Sequence, residues 1–446
     1  MSGLGKRRSI KKQKVMQTDS LKMKIEKYDQ IMGRLAALIA GTRFETHVFS
    51  VGGCVRDKHL KMEIKDIDLV VDLPNGGIEL AKYLESNSFT KGSIVVYENY
   101  GTVMFRLKDF PDIELEAVQT RKEDYHDAKT RNPVTCFGTI QEDCHRRDFT
   151  INALYYNISE GKEYDFNGSS LKDLEEMRID TCGDPDIIFD EDPLRILRAV
   201  RFSSKLRYTI SERTKVSIWR HKGRLDIISQ ERITDEINKI LSGPYPEVGI
   251  ELLHTLELCE IVLPEMTEIL AYDLQEVVKT MCNIRVYADN GKLDQLTMML
   301  AYISYKVNPL IFREVMRRMR YSTNMIDRVF LLASLLGKAV FVSELRSMVH
   351  MRELGYLAKN EENYRMLLAI VEAMNCIWPK MKTDYPSQMF GYTLPVNGDD
   401  IMEILQIGPG PKIKEIQEDL IYDVFVNPDL SREECINLIK IRFGNK

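Results

Sequence analysis

Val51-Gly52-Gly53-Cys54-Val55-Arg56-Asp57, with Asp66-Ile67-Asp68-Leu69-Val70-Val71 nine residues on, is the stretch that decides the fold. Upstream of the glycines, His47-Val-Phe-Ser-Val51 reads as a short strand. Val55–Leu60 resumes as a helix, and Asp66–Val71 reads as a second strand. A glycine pair between strand and helix lets backbone N–H groups come close to an anion, and the helix N-terminus adds partial positive charge. Arg56 supplies a guanidinium suited to phosphate, so Gly52, Gly53 and Arg56 read as a nucleotide-binding turn. No G-K-[ST] follows, which excludes a Walker-type loop.

Outward from this core, Ile25–Ala40 carries Ile31, Leu35, Leu38 and Ile39 at helical spacing. Gly77–Leu84 reads as another helix, and Val95–Tyr97, Thr102–Leu107 and Ile113–Thr120 as further strands. Residues 45–160 therefore predict a small α/β unit with a mixed sheet. From about Asp173 the pattern is helical almost to the end, punctuated at Gly243-Pro244, Pro264, Gly291, Pro386 and Gly408-Pro-Gly-Pro411. The fold class is α+β, with four expected segments: 1–25, 26–160, 161–245 and 246–446.

The 446 residues carry a net charge of −5, which by itself argues against a nucleic-acid partner. The distribution reverses that inference. Residues 1–25 carry +7 and residues 195–224 carry +9, so the remainder stands at −21. Eight cysteines without a C-x-x-C pair exclude the common zinc-knuckle spacings and a disulfide framework, and point to a reducing, cytoplasmic compartment. No stretch approaches the ~18 apolar residues of a membrane span. The basic N-terminus lacks the apolar core of a secretory signal and reads as a tail contacting RNA, with organelle or nuclear targeting as the alternative.

Asp66 and Asp68, at i and i+2 on a strand, share one face. Adjacent carboxylates repel unless a cation joins them, and hard oxygen ligands beside a triphosphate favour Mg²⁺. Glu114 and Glu116 have the same spacing, and either would complete a three-carboxylate site for two metals. In Arg146-Arg147-Asp148-Phe149-Thr150-Ile151-Asn152-Ala153-Leu154, paired arginines suit phosphates and ribose hydroxyls. In Asp190-Glu-Asp192-Pro193-Leu-Arg195, Asp192 predicts an N-cap with Pro193 at the first helical position. Arg195, Arg198 and Arg201 then step by three along one helix edge. An acceptor-only Asp beside a donor-only Arg presents an edge that can pair with a base.

In this order the motifs resemble those of class II tRNA nucleotidyltransferases, the CCA-adding enzymes, and of the related bacterial poly(A) polymerases. The match is strong over 45–241 and looser beyond, where Gly408-Pro-Gly-Pro-Lys-Ile is similar to a turn near the C-terminus of bacterial members. The resemblance implies a nucleotidyltransferase head of the polymerase β type, followed by an all-helical neck, body and tail. It implies that Asp66 and Asp68 bind catalytic Mg²⁺, with Glu114 or Glu116 as the third carboxylate. Gly53 and Arg56 would hold the triphosphate, and Arg147, with Asp148, would lie near the nucleotide. Asp192 and Arg195 would read cytosine or adenine, with Arg198 and Arg201 lining the same pocket.

The implied reaction adds C, C and A to a tRNA 3′ end from CTP and ATP without a nucleic-acid template. A poly(A) polymerase or a partial CC- or A-adding enzyme is the alternative, and a non-catalytic RNA-binding protein the distant one. The expected partners are tRNA, CTP and ATP, no membrane is expected, and the chain is expected as monomer or homodimer. Many bacterial relatives carry an H-D metal motif in a later phosphohydrolase domain. The comparable Leu296–Ile303 has no His or Asp pair, so no second hydrolase activity is expected. His254 and His350, isolated among helices, read as structural.

Overall fold

The computed structural model describes residues 25–64, 66–98, 101–124, 134–345, 360–374, 394–427 and 430–444. Most of the basic N-terminal segment, and His350, lie outside them. The chain divides into two compact units, 1–225 and 226–446, with the boundary inside the segment 161–245.

The first unit opens with helix α1 (residues 25–39), which buries Tyr28, Ile31, Met32, Leu35, Leu38 and Ile39 along one stripe. Strand β1 (Val48–Val51) runs into α2 (Gly53–His59) and then β2 (Asp66–Val71). Helix α3 (Gly76–Ser86) is followed by β3 (Val95–Tyr97), β4 (Thr102–Leu107) and β5 (Phe110–Gln119). A hairpin of β6 (Arg121–Asp124) and β7 (Val134–Phe137) leads to α4 (Ile140–His145), β8 (Tyr155–Asn157) and β9 (Lys162–Tyr164). The main sheet has the order β3-β4-β5-β2-β1-β8-β9, with β2 and β5 parallel and the other neighbours antiparallel. It is the mixed sheet that the sequence predicts.

Helix α3 lies directly on this sheet. A Cβ on Gly77 would sit 2.7 Å from the Val118 Cα, so only glycine allows the approach. The same packing buries Leu80, Ala81 and Leu84 of α3.

After the sheet come α5 (Ser170–Glu175), β10 (Arg178–Ile179), α6 (Pro185–Glu191), α7 (Leu194–Leu206), β11 (Thr209–Ile210) and α8 (Glu212–His221). The helical stretch expected from Asp173 thus also holds a short parallel ladder, β10 with β11. Asp180 secures α8 to it, accepting hydrogen bonds from the Ser211 and Thr214 hydroxyls and from Arg213.

The second unit is helical throughout its described residues. It begins with α9 (Gln230–Leu241), on the Glu231–Leu241 stretch read as a helix. The helices Thr267–Gly291, Gln295–Val307, Thr323–Leu345 and Glu361–Ala373 pack on one another around Met281, Ile284, Met298, Tyr302, Leu336 and Leu367. Gly398–Leu405, Pro411–Val426 and Arg432–Phe443 enclose a separate small core of Ile401, Ile416, Leu420, Cys435 and Ile439. No described helix is long and apolar enough to cross a membrane.

Candidate active site

The parallel pairing of β2 and β5 sets Asp66 level with Glu114 and Asp68 level with Glu116. Strand alternation turns all four carboxylates to one face of the sheet, while Ile67, Leu69, Leu115 and Ala117 are buried on the other. The two glutamates then differ in their company. Arg106 on β4 takes Glu114 in an ion pair of 2.8 Å. Glu116 instead acts on Asp68.

The Asp68 carboxyl is pushed up to about 6, first by burial, then by the negative charge of Glu116, with Asp66 adding and Arg147 opposing. Asp68 nevertheless keeps solvent-exposed surface. Glu116 is itself raised by burial and by Asp66 and Glu114, against the pull of Arg121. These are hard oxygen donors whose like-charge repulsion the nearby arginines only partly offset, a donor set that fits a divalent cation. Among the described residues no group of three His, Cys, Asp or Glu side chains forms a preformed metal cage.

The Gly52 turn sits beside this cluster. Gly52 has φ +80°, and a Cβ there would lie 3.3 Å from an Asp68 Oδ and 3.9 Å from Arg147 Nη1. Gly52→Ala therefore strains the backbone and crowds the carboxylate together. The expected cost is upwards of ~1 kcal/mol of stability, read by thermal melting.

Arg56 is placed differently from the sequence expectation of a guanidinium offered to phosphate. It is 3% exposed and paired with Asp57 at 2.6 Å. Its Nη1 donates to Asn152 Oδ1, and it lies 5.3 Å from the Phe202 ring centroid. Two inward acceptors and an aromatic face outcompete solvent for the guanidinium, so Arg56 braces the turn from within.

Arg147 is the arginine of the paired-arginine segment whose charge acts on Asp68. Asp143, fully buried on α4, accepts from Arg147 Nη2 at 3.0 Å and from Arg146 Nη2 at 2.7 Å. The Tyr155 hydroxyl donates to Asp143 at 2.7 Å and accepts from Arg147 Nε at 2.9 Å. Burial alone would lift the Asp143 carboxyl, but Arg147, Arg146 and Tyr155 hold it at about 2. Neither Asp143 nor Tyr155 stands out in the sequence. The acid three and four residues before the paired arginines, on a short helix, is the one available signal.

Asp148 likewise turns inward. Its Oδ2 accepts from Arg198 Nε at 2.8 Å and Nη2 at 2.6 Å, so it joins the R-R-D segment to α7. The α7 arginines are not a uniformly solvated edge. Arg195 is nearly buried and pairs with Glu191 at 3.2 Å, while Arg198 and Arg201 lie 5.5 and 4.3 Å from the Phe202 centroid. Asp192 closes α6, and its carboxylate accepts from the Leu194 N–H at 3.2 Å. The expected capping contact is therefore present, with the helix beginning one residue later, at Leu194.

A mixed sheet carrying a Gly-Gly turn and acidic residues on two parallel strands is the arrangement expected of a nucleotidyltransferase head. Residues 48–180 match the poly A polymerase head domain, and residues 207–270 match the probable RNA and SrmB-binding site of polymerase A. Over these two stretches the chain is similar to the class II tRNA nucleotidyltransferase and bacterial poly(A) polymerase family.

It is 34% identical over 212 residues to the CCA-adding enzyme of Bacillus subtilis, covering 48% of this chain and 50% of that protein. It is 24% identical over 438 residues to tRNA nucleotidyltransferase cca2 of Schizosaccharomyces pombe, covering 86% and 90%. At the higher identity, the chain spans about half the length of the curated relatives it matches. Among solved structures, the Bacillus stearothermophilus CCA-adding enzyme in complex with CTP superposes with a TM-score of 0.68 at 22% identity, covering 89% and 93%.

Proposed function

We propose that the protein is a tRNA nucleotidyltransferase that adds CCA to tRNA 3′ ends from CTP and ATP, without a nucleic-acid template. The observation that carries this reading is the register that sets Asp66 and Asp68 on one sheet face beside Glu116, the Gly52 turn and Arg147. Relatives named as CCA-adding enzymes, and a neighbour bound to CTP, support it. A Thermotoga maritima relative of the same fold, complexed with tRNA, supports the RNA substrate.

Asp66 and Asp68 would hold Mg²⁺, with Glu116 as the third carboxylate, since Arg106 already engages Glu114. Divalent metal bound there supplies charge stabilisation for in-line transfer of a nucleotidyl group, with release of pyrophosphate. The chain's own groups do the rest. Backbone N–H groups at the Gly52–Gly53 turn and the Arg147 guanidinium receive phosphate charge. Asp143 and Tyr155 keep Arg147 aimed there. Asp192 and Arg195 present acceptor and donor to the pairing edge of the incoming base. The +9 net charge of 195–224 favours the acceptor-stem phosphates, although Arg198, Arg213, Arg220 and Arg224 are each engaged by a carboxylate of the same unit. Seven cysteines among the described residues are free, in keeping with a cytoplasmic location.

The test uses tRNA transcripts ending before CCA, after C and after CC, with labelled CTP and ATP and single-nucleotide resolution. Addition of C, C and A in turn is expected. Long A tails identify a poly(A) polymerase, and no incorporation identifies a binding protein. Asp192→Ala and Arg195→Ala are expected to lower the preference for CTP over ATP at the first position by roughly tenfold or more, the scale of ~1–3 kcal/mol of hydrogen-bond discrimination. Unchanged preference in both variants places base reading elsewhere.

A further inference from the structure

Arg56 and Asp148 belong to different motifs, yet one side chain joins them. Asn152, on the 3-10 turn Thr150–Asn152, accepts from Arg56 Nη1 at its Oδ1 and donates from its Nδ2 to Asp148 Oδ1 at 3.2 Å. Asp148 then holds Arg198 of α7 through its other oxygen. A continuous polar chain thus runs from the Gly52–Asp57 turn, through Asn152 and Asp148, to the arginine-bearing helix. The Phe202 ring closes it from the side, with Arg56 and Arg198 both lying over it.

The chemistry at position 152 is restrictive. Arg56 can only donate, and ionised Asp148 can only accept, so the bridge must offer an acceptor to one and a donor to the other. An amide does both. A carboxylate would face Asp148 with like charge, and an apolar side chain would leave two buried charged groups short of a partner. Arg56, Asn152 and Asp148 are all buried, which makes each of these contacts consequential.

We infer that Asn152 is a positioning residue for nucleotide choice, fixing α7, which carries Arg195 in its first turn and follows directly on Asp192 and Pro193, in register with the turn that faces the triphosphate. This rests on the CCA-adding reading of the site. The two ends of one bound nucleotide must be met at once, by the turn at the phosphates and by Asp192 and Arg195 at the base. Loosening the Asn152 link lets the base-reading helix shift relative to the phosphates. Choice between CTP and ATP should then suffer more than turnover of the correct nucleotide.

The test compares the full chain and its Asn152→Ala and Asn152→Asp variants on tRNA lacking CCA, measuring kcat and KM for CTP and for ATP. A fall in the CTP-over-ATP preference of about tenfold is expected in both variants, the scale of coupling between contacting residues, with a smaller loss of kcat for CTP. Circular dichroism and thermal melting establish that each variant is folded, and Asn152→Ser replaces any that is not. Equal losses for both nucleotides, with preference unchanged, would show a merely structural role and overturn the inference. Wild-type preference and turnover would overturn it as well. Failure of the wild-type chain to incorporate either nucleotide would instead overturn the CCA-adding reading, and the inference with it.

Discussion

Substitution of Asp68 by alanine is expected to cut nucleotide incorporation by roughly 10³-fold or more. Metal-assisted charge stabilisation is worth several kcal/mol, and each ~1.4 kcal/mol is a factor of ten in rate. Asp66→Ala should behave alike, because both carboxylates project from the same face of β2. The informative pair is on β5. Glu116→Gln should approach the Asp68→Ala loss, since Glu116 stands level with Asp68 and its charge is felt there. Glu114→Gln removes a half-exposed ion pair with Arg106 and should change the rate by no more than about fivefold, the ~0–1 kcal/mol scale of such pairs. Single-turnover incorporation of labelled CTP separates these outcomes. Asp68→Ala within tenfold of wild type would sink the carboxylate assignment. A larger loss from Glu114→Gln than from Glu116→Gln would reverse the choice between the glutamates.

The largest expected effect on stability is that of Asp143→Ala. The side chain is wholly buried between Arg146 and Arg147, whose own side chains are 15% and 17% exposed. Removing it leaves two guanidinium groups without their shared acceptor, at a cost of about 3–5 kcal/mol. In a unit of this size that lowers Tm by roughly 10 °C. The pH dependence has a definite sign. The folded carboxyl lies near 2, below its ordinary value of 3.8, so the proton binds the unfolded chain more readily. The stability contributed by the ionised group is therefore complete well above pH 4 and is lost as pH falls toward 2. Urea melts of wild type and variant should differ by a constant amount between pH 7 and 5. The gap should narrow on further acidification, and a gap that widens in acid would contradict the pairing.

Local sequence carries much of this molecule. The short strand runs at 48–51 and 66–71, the glycines between strand and helix, and the Asp192-Pro193 helix start are short-range signals, because each depends on the conformational preferences of a few neighbouring residues. The elements they predict are present, with boundaries that coincide, as at Asp66–Val71, or shift by up to three residues. Asp66 and Asp68 were legible for the same reason, since spacing of two on a strand fixes a shared face.

Choices between chemically equivalent residues required the tertiary structure. Glu114 and Glu116 have identical spacing and identical side chains, and only the neighbouring strand β4, by supplying Arg106 to one of them, tells them apart. Arg56 and Asp148 look like ligands for a nucleotide in a motif, yet Asn152, Arg198 and Phe202, distant in sequence, draw them inward. Asp143 and Tyr155 gain their part from packing alone, being anonymous until burial places them against Arg147. Sequence by itself determined the order of strands and helices over 47–120 and the residue types available for phosphate and metal chemistry, because those follow from local periodicity and covalent structure. Tertiary structure decided which of those charges face the site and which are spent on one another. A buried charge takes whatever partner the fold brings within reach, and that partner is set by long-range pairing that no local pattern records.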